Sequence, residues 1–296
     1  MIELAAAPQH DPHDTPATDR SDARAGVAIV GYGAVGRSLA TLFPDAAVYD
    51  PPLGLGRRDE VNRCRFAFVC VPTPATASGD CDTAAVEEAA GWIESEYIVI
   101  RSTVPPGTTN RLAGRLGKRI IFQPEYGPGE TPDHPYRDPH ALSWIILGGP
   151  RAWTVPVCDL YKTVFNAELA IHQTDAVTAE LVKYMENAFL ATKVAFCNEF
   201  YDLAARDGVD YNELRELWLL DPRIGRSHTW VHPGDRGFGG KCLPKDLQAI
   251  VVHAQRRGEP AIVLESVLRS NDRLRQEPAD QQEPRMNAPD GGGVGG

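Results

Sequence analysis

The sequence has no pair of cysteines spaced as C-x-x-C, and its six cysteines (Cys64, Cys70, Cys81, Cys158, Cys197 and Cys242) are scattered. That spacing suits neither a zinc ribbon nor a disulfide framework, so no metal is expected and the thiols are expected to be reduced. No apolar run approaches the roughly 18 residues of a membrane span, and the N-terminus lacks the basic-then-apolar order of a secretion signal. A cytoplasmic protein with no membrane partner is the expectation. Basic residues are in deficit: 30 Lys and Arg against 40 Asp and Glu leave a net charge of −10. A nucleic-acid partner would favour a basic face and is not expected.

The ends also lack apolar periodicity. Residues 1–24, with much Asp, Pro and His, and 275–296, rich in Pro, Gly and acidic residues, read as disordered tails. What lies between is long enough for two domains, with 43% apolar residues in the whole chain.

The first of these, residues 25–172, opens on the apolar run Gly26-Val27-Ala28-Ile29-Val30, which reads as a buried parallel strand. Gly31-Tyr32-Gly33-Ala34-Val35-Gly36 follows, then a helical stretch, then the strand Ala46-Ala47-Val48-Tyr49-Asp50. A G-x-G-x-x-G between strand and helix, with an acidic residue at the end of the next strand, points to a dinucleotide. The first glycine allows the turn, the second admits the pyrophosphate and the third permits helix-to-strand packing. Asp50 would accept hydrogen bonds from ribose hydroxyls and repel a 2′-phosphate, favouring NAD over NADP. Further strands are expected at 66–71, 97–100, 119–123 and 144–147, with helices around 83–94 and 153–165. Their carboxyl ends carry Thr73 and Pro74, Ser102 and Thr103, and Glu125 and Tyr126, on the rim where ligands of open α/β sheets bind. Taken singly, these loop residues read equally well as turn formers or helix caps.

From Asp175 to Arg206 the chain has neither Gly nor Pro and favours helix, with Thr174 or Asp175 as its cap. Such a helix spans roughly 45 Å, longer than a small domain requires, and reads as a dimerisation element in a helical unit over residues 173–274. Lys183 and Asn187 share a face and could together hydrogen-bond an oxygen that gains negative charge. A solvated lysine beside a packed asparagine is the competing reading. Glu180, Glu186 and Lys193 are expected to serve solubility or ion pairing. Beyond this helix, Gly237-Phe238-Gly239-Gly240-Lys241-Cys242-Leu243-Pro244-Lys245-Asp246 places one cysteine on a glycine-built loop with lysines and a carboxylate nearby. Nearby cations favour the nucleophilic thiolate. The loop alone leaves a reactive and an incidental cysteine open.

The segments VAIVGYGAVG, FVCVPTP, RSTVPPGTT, QPEYGPGE, AELVKYMENAFLATKVAFCNE, RIG and GFGGKCLPKD occur in this order between Val27 and Arg273. Together they resemble the UDP-glucose/GDP-mannose dehydrogenases, NAD-dependent enzymes that oxidise the primary alcohol of a sugar nucleotide to a carboxylate. The fold expected is α/β: a Rossmann-type doubly wound parallel sheet followed by an all-α dimerisation domain with a long central helix. The resemblance implies that Cys242 is the nucleophile, forming a thiohemiacetal and then a thioester. It implies acid/base and oxyanion roles for Lys183 with Asn187, and Asp246 as the carboxylate that works with them. Thr103 and Glu125 would position or activate water. Gly31, Tyr32, Gly33, Ala34, Val35, Asp50, Thr73, Pro74, Ser102 and Lys245 would contact NAD. Glu125, Tyr126, Lys183, Asn187, Arg223, Phe238 and Gly239 would contact a sugar or sugar-nucleotide substrate, Arg223 from across a homodimer.

Three departures from the family pattern stand out. Lys241 occupies a position that usually carries a small or imidazole-bearing residue, and Gly129-Glu130 inverts a common Glu-Gly. The family's third domain, which grips the nucleotide, has no counterpart before the polar tail, so a truncated form is expected. Two other readings of the residues stay open. One is a two-electron hydroxyacid-type dehydrogenase using Lys183 and Asn187 with Cys242 idle; the other is a non-catalytic or partner-dependent NAD-binding dimer.

Overall fold

A computed structural model of the chain describes residues 26–127, 136 and 138–276. The expectations for residues 1–24, for residues 277–296 and for Gly129-Glu130 lie outside the described residues.

Strands β1 (Val27–Val30), β3 (Phe66–Val69) and β4 (Tyr97–Ile100) are buried at every position. Their uninterrupted apolar sequences follow from helices covering both faces of a parallel sheet. With β2 (Ala47–Tyr49), β5 (Ile120–Phe122), β6 (Trp144–Gly148) and β7 (Ala170–Thr174) they form one seven-stranded sheet in the order β2-β1-β3-β4-β5-β6-β7. Neighbouring strands run parallel except β5 and β6, which meet antiparallel where Phe122 faces Gly148. The sheet is thus mostly parallel, with β6 and β7 appended as a reversed pair. Edge strand β7 reads Ala-Ile-His-Gln-Thr and is largely solvated, which is why it carries no apolar signature.

Alternation along the strands builds two cores. Val27, Ile29, Phe66, Phe68 and Val99 pack under α1 (Ala34–Leu42) and α5 (Arg151–Lys162). Ala28, Val30, Ala67, Val69, Ile98 and Ile100 face the other way, toward α3 (Ala84–Trp92) and α4 (Thr108–Leu116). Between β2 and β3 the connection holds a 3-10 turn (Pro51–Leu53) and the short α2 (Arg58–Asn62).

Helix α6 (Ala176–Arg206) runs for 31 residues. Asp175 caps it, accepting a hydrogen bond from the Thr178 amide at 2.9 Å. The helix meets the sheet closely at its start: a Cβ on Gly148 would lie 2.5 Å from that of Ala179, and Ala179 completes the second core. The next residue, Glu180, is fully buried and not in solvent as the sequence suggested. Its carboxylate accepts from the backbone amides of Gly107 and Thr109, at 2.5 and 2.9 Å, and so caps α4 from another element. Burial pushes the Glu180 carboxyl up, against the pull of its bonds to Thr109 and Gly107.

The far half of α6 packs against α7 (Tyr211–Trp218), α8 (Leu243–Arg256) and α9 (Ile262–Gln276). Helix α8 in turn receives the loop after β3: Asp80 pairs with Arg256, and Gly79 packs on the Gln248 side chain. The sheet and the helical half are therefore joined twice, through α6 and through this loop.

Replacing Glu180 by Ala leaves two helix-terminal amides buried without an acceptor. A loss of about 2–3 kcal/mol is expected, read as a lower urea midpoint with an unchanged slope. An unchanged midpoint would show that the cap carries no stability.

Candidate active site

The strand order reverses direction between β1 and β3, and at that switch point the three glycines divide their work. Gly31 has φ +93°, and a Cβ there would lie 2.7 Å from the Cys70 carbonyl oxygen of the neighbouring strand end. A Cβ on Gly36 would collide with the Gly31 carbonyl oxygen, so α1 seats on β1 only with glycine. Gly33 caps α1, and a Cβ there would meet no protein atom within 4 Å. Space against a helix N-terminus, lined by backbone, is what a pyrophosphate requires. Ala34 and Val35 form the first turn beneath it. Asp50 accepts from the Tyr32 amide at 2.7 Å and the Leu53 amide at 3.2 Å, so the acidic strand end is tied to the glycine turn.

The second constellation lies where α6 meets α8. Asn187 and Asp246 are buried, at 5% and 1% exposure. The Asn187 amide nitrogen donates to Asp246 Oδ2 at 2.6 Å, while Lys183 donates to Asn187 Oδ1 at 3.2 Å and to Glu186 at 3.3 Å. Lys245 donates to the other Asp246 oxygen. Lys183 also lies 5.0 Å from the centre of the Tyr126 ring, which packs edge-on against Trp144. Asp246 thus reaches Lys183 only through the asparagine. Cys242 is the residue preceding α8, and its carbonyl accepts from the Asp246 amide at 2.9 Å. Its side chain is exposed, whereas the other five cysteines are buried. It stands at the positive end of the α8 dipole, which favours negative charge.

A buried thiol links the two constellations. Cys81 donates to the carbonyls of Thr103, at 3.3 Å, and Thr73, at 3.7 Å. Lys245 Nζ lies 3.9 Å from its sulfur. Burial pushes the Cys81 thiol up, with Lys245 pulling it down. The rim loops of β3 and β4 thereby touch the helix that bears Asp246.

The remaining residues singled out in the sequence fall as follows. The Ser102 hydroxyl donates to the Val71 carbonyl at 2.6 Å, shaping the turn after β4; Pro74 is exposed on the neighbouring loop. Glu125 is held by the buried guanidinium of Arg101, which also bonds Tyr161 at 3.3 Å, and by the Gly127 amide. Phe238 is packed into the α6–α8–α9 core, and Gly239 beside it is exposed. Arg223 is exposed and paired with Asp221, apart from the Lys183 row. Its loop is tied down by Lys193, which donates to the carbonyls of Gly225 at 2.9 Å and Ile224 at 3.3 Å. Lys193 is buried, not the solvated ion-pair partner expected, and burial pushes its pKa down. Sequence reasoning also passed over Arg101 and Cys81. The signal for Arg101 was its place at the carboxyl end of β4; nothing local marks Cys81.

Among the described residues no His, Cys, Asp and Glu cluster is assembled for a metal, and no helix is long and apolar enough to cross a membrane. Residues 56–124 match the NAD binding domain, and residues 177–273 the central domain, of the UDP-glucose/GDP-mannose dehydrogenase family. The chain belongs to this family. UDP-glucose 6-dehydrogenase of Rickettsia bellii (strain RML369-C) is 34% identical over 231 residues, covering 72% of this chain and 50% of that protein. GDP-mannose 6-dehydrogenase of Pseudomonas aeruginosa is 30% identical over 234 residues, 72% of this chain and 52% of that one. The chain therefore spans about half the length of the curated relatives it matches. Among solved structures, a UDP-glucose dehydrogenase from Pyrobaculum islandicum superposes with a TM-score of 0.72 at 27% identity, over 84% of this chain and 68% of that one. NAD is the family's cofactor for the first half of the chain, and the glycine cradle and Asp50 fit it.

Two substitutions separate ligand from fold. Gly33→Val places its methyls only in the cradle and is expected to weaken NAD binding on the order of tenfold by calorimetry, with the far-ultraviolet spectrum unchanged. Gly36→Val should instead lower the melting temperature. Equal NAD affinity in Gly33→Val and the parent chain would argue against a pyrophosphate at this turn.

Proposed function

We propose that the chain oxidises the primary alcohol of a nucleotide sugar, or of a related sugar or nucleoside, to the carboxylic acid in two NAD-dependent steps, with Cys242 as covalent nucleophile. One observation carries this reading: the Lys183–Asn187–Asp246 row runs into the first turn of α8, directly behind an exposed cysteine. Relatives named for UDP-glucose and GDP-mannose support the substrate class.

The orientation of Asn187 follows from its neighbours. A carboxylate requires a donor and an ammonium requires an acceptor, so the amide nitrogen faces Asp246 and the amide oxygen faces Lys183. Lys183 is thereby aimed, with further N–H groups for a substrate oxygen. Bound NAD supplies the hydride acceptor for both oxidations. As the alcohol carbon gives up its first hydride, the hydroxyl proton leaves to a base, a role the reading assigns to Lys183 as the neutral amine, which becomes the ammonium. The Cys242 thiolate then adds to the aldehyde carbon, and the oxygen, held by Lys183 and Asn187, takes up the proton that Lys183 carries. Loss of a second hydride from this thiohemiacetal, with its hydroxyl proton passing to Lys183, gives a thioester. Water adds to the thioester carbonyl, the C–S bond breaks, and acid and thiol are released. One acid formed thus consumes one water and yields two hydrides. On this reading the rim carboxylate Glu125, held by Arg101, orients that water.

NADH and acid measured together, with UDP-glucose, GDP-mannose and simpler sugars as candidates, should stand near two to one. Cys242→Ala is expected to abolish acid formation. A ratio near one with turnover intact in Cys242→Ala would sink covalent catalysis and favour the two-electron reading; NAD binding without any reduction would favour a non-catalytic one.

The proposal includes a homodimer. Leu181, Met185, Phe189, Phe196, Phe200 and Leu203 are all exposed, Met185 at 77% and Phe189 at 61%. Their spacing on α6 confines them to a face about 100° wide. The stripe is far longer than isolated surface apolar residues explain, and a second copy of the same helix would bury it. Sedimentation is expected to show a dimer at micromolar concentration, and Phe189→Glu a monomer; a monomeric parent chain would overturn this part.

A further inference from the structure

The loop that carries Cys242 has no regular structure of its own. Residues 219–242 contain neither helix nor strand, so side chains from elsewhere must fix its backbone. Five residues before the cysteine the grip is dense. Asn198 of α6, 2% exposed, accepts from Arg236 Nε at 2.6 Å through its side-chain oxygen, and its backbone carbonyl accepts from Arg236 at 3.0 Å. The same side-chain oxygen receives the Gly237 amide at 3.4 Å, while its amide nitrogen is anchored to the Val194 carbonyl at 2.8 Å. Arg236, itself 2% exposed, is paired with Asp202 at 2.9 Å and lies over the Tyr201 ring. From the other side Asn271 of α9, 5% exposed, accepts from the Phe238 amide at 2.6 Å. Gly237 adopts φ +76°, and a Cβ there would lie 2.5 Å from the Asn271 side-chain oxygen.

We infer that Asn198, Arg236 and Asn271 are positioning residues for Cys242, clamping its loop to the helix that carries Lys183 and Asn187. Asn198 lies three helical turns beyond Asn187 on α6, so the clamp and the oxyanion row share one rigid element. Burial of an arginine is costly unless its polar groups are engaged, and Arg236 is engaged by Asp202 and by the amide oxygen and backbone carbonyl of Asn198. Their role is to hold the loop, not to take part in bond making. Their role in turnover rests on Cys242 being the nucleophile, but the clamp itself does not.

The test compares Asn271→Ala with Asn271→Asp, which keeps the acceptor oxygen, and Asn198→Leu with Asn198→Asp. Hydrogen exchange of residues 236–242, alkylation of Cys242 by iodoacetamide across pH, and steady-state kinetics are read on the full chain. Exchange at Phe238 should quicken about tenfold in Asn271→Ala and stay within about twofold of the parent in Asn271→Asp. The pH profile of alkylation should shift, and kcat fall about tenfold with KM for NAD unchanged, only in the variants without an acceptor. Gly237→Ala strains the same contact from the loop side and should reproduce the loss, which keeps the test open if an asparagine variant misfolds. Unchanged exchange in Asn271→Ala, or a loosened loop with unaltered alkylation, would overturn the inference. Acid formation surviving in Cys242→Ala would instead overturn the covalent reading, leaving the exchange result to decide the clamp.

Discussion

The Glu180 carboxylate, sunk between α6 and the start of α4, is the contact on which the arrangement of this chain depends. It satisfies two amides that helix geometry leaves without partners. Because these amides lie where the loop after β4 enters α4, the bond fixes α6 to the rim that carries Thr103. Apolar packing at Gly148 and Ala179 brings the helix close; the carboxylate sets its rotation. A rotation of α6 by one residue would turn Lys183 and Asn187 about 100° away from α8.

From that anchor, α6 works as a ruler. Glu180 docks it, Lys183 and Asn187 form the row that meets Asp246, Lys193 holds the Arg223 loop, and Asn198 holds the loop before Cys242. All of these side chains face inward, while the apolar residues from Leu181 to Leu203 face out. This explains the diffuse apolar pattern that the helix shows in sequence: one face is buried by its own chain through small apolar residues and polar contacts, the other offers hydrophobic area to a second body.

Much of the sheet was legible because buried parallel strands are locally uniform. β1, β3 and β4 announce themselves as apolar runs, and the glycine spacing with Asp50 locates the cradle. The solvated strand β7 and the helices after Arg206 carried no comparable signature, and the reversal between β5 and β6 is a matter of tertiary pairing. For the site, the row of Lys183, Asn187 and Asp246 could be assembled from helical spacing and family resemblance. Glu180, Lys193 and Arg101 could not, because a charged residue has the same local sequence signal whether solvent or a backbone amide receives it. Their partners lie 71, 32 and 24 positions away. Cys81 was hidden for the same reason, 164 positions from Lys245.

Asn187 has a further consequence. An amide transmits a field but, unlike a carboxylate or an imidazole, exchanges no proton near neutral pH. Interposed between the Lys183 ammonium and the Asp246 carboxylate, it couples the two charges while insulating them from each other. The buried acid can hold the lysine in place without taking its proton, so the proton inventory of the open side of the site is kept separate from that of the interior. A histidine or a water at the same point would join them into a single relay.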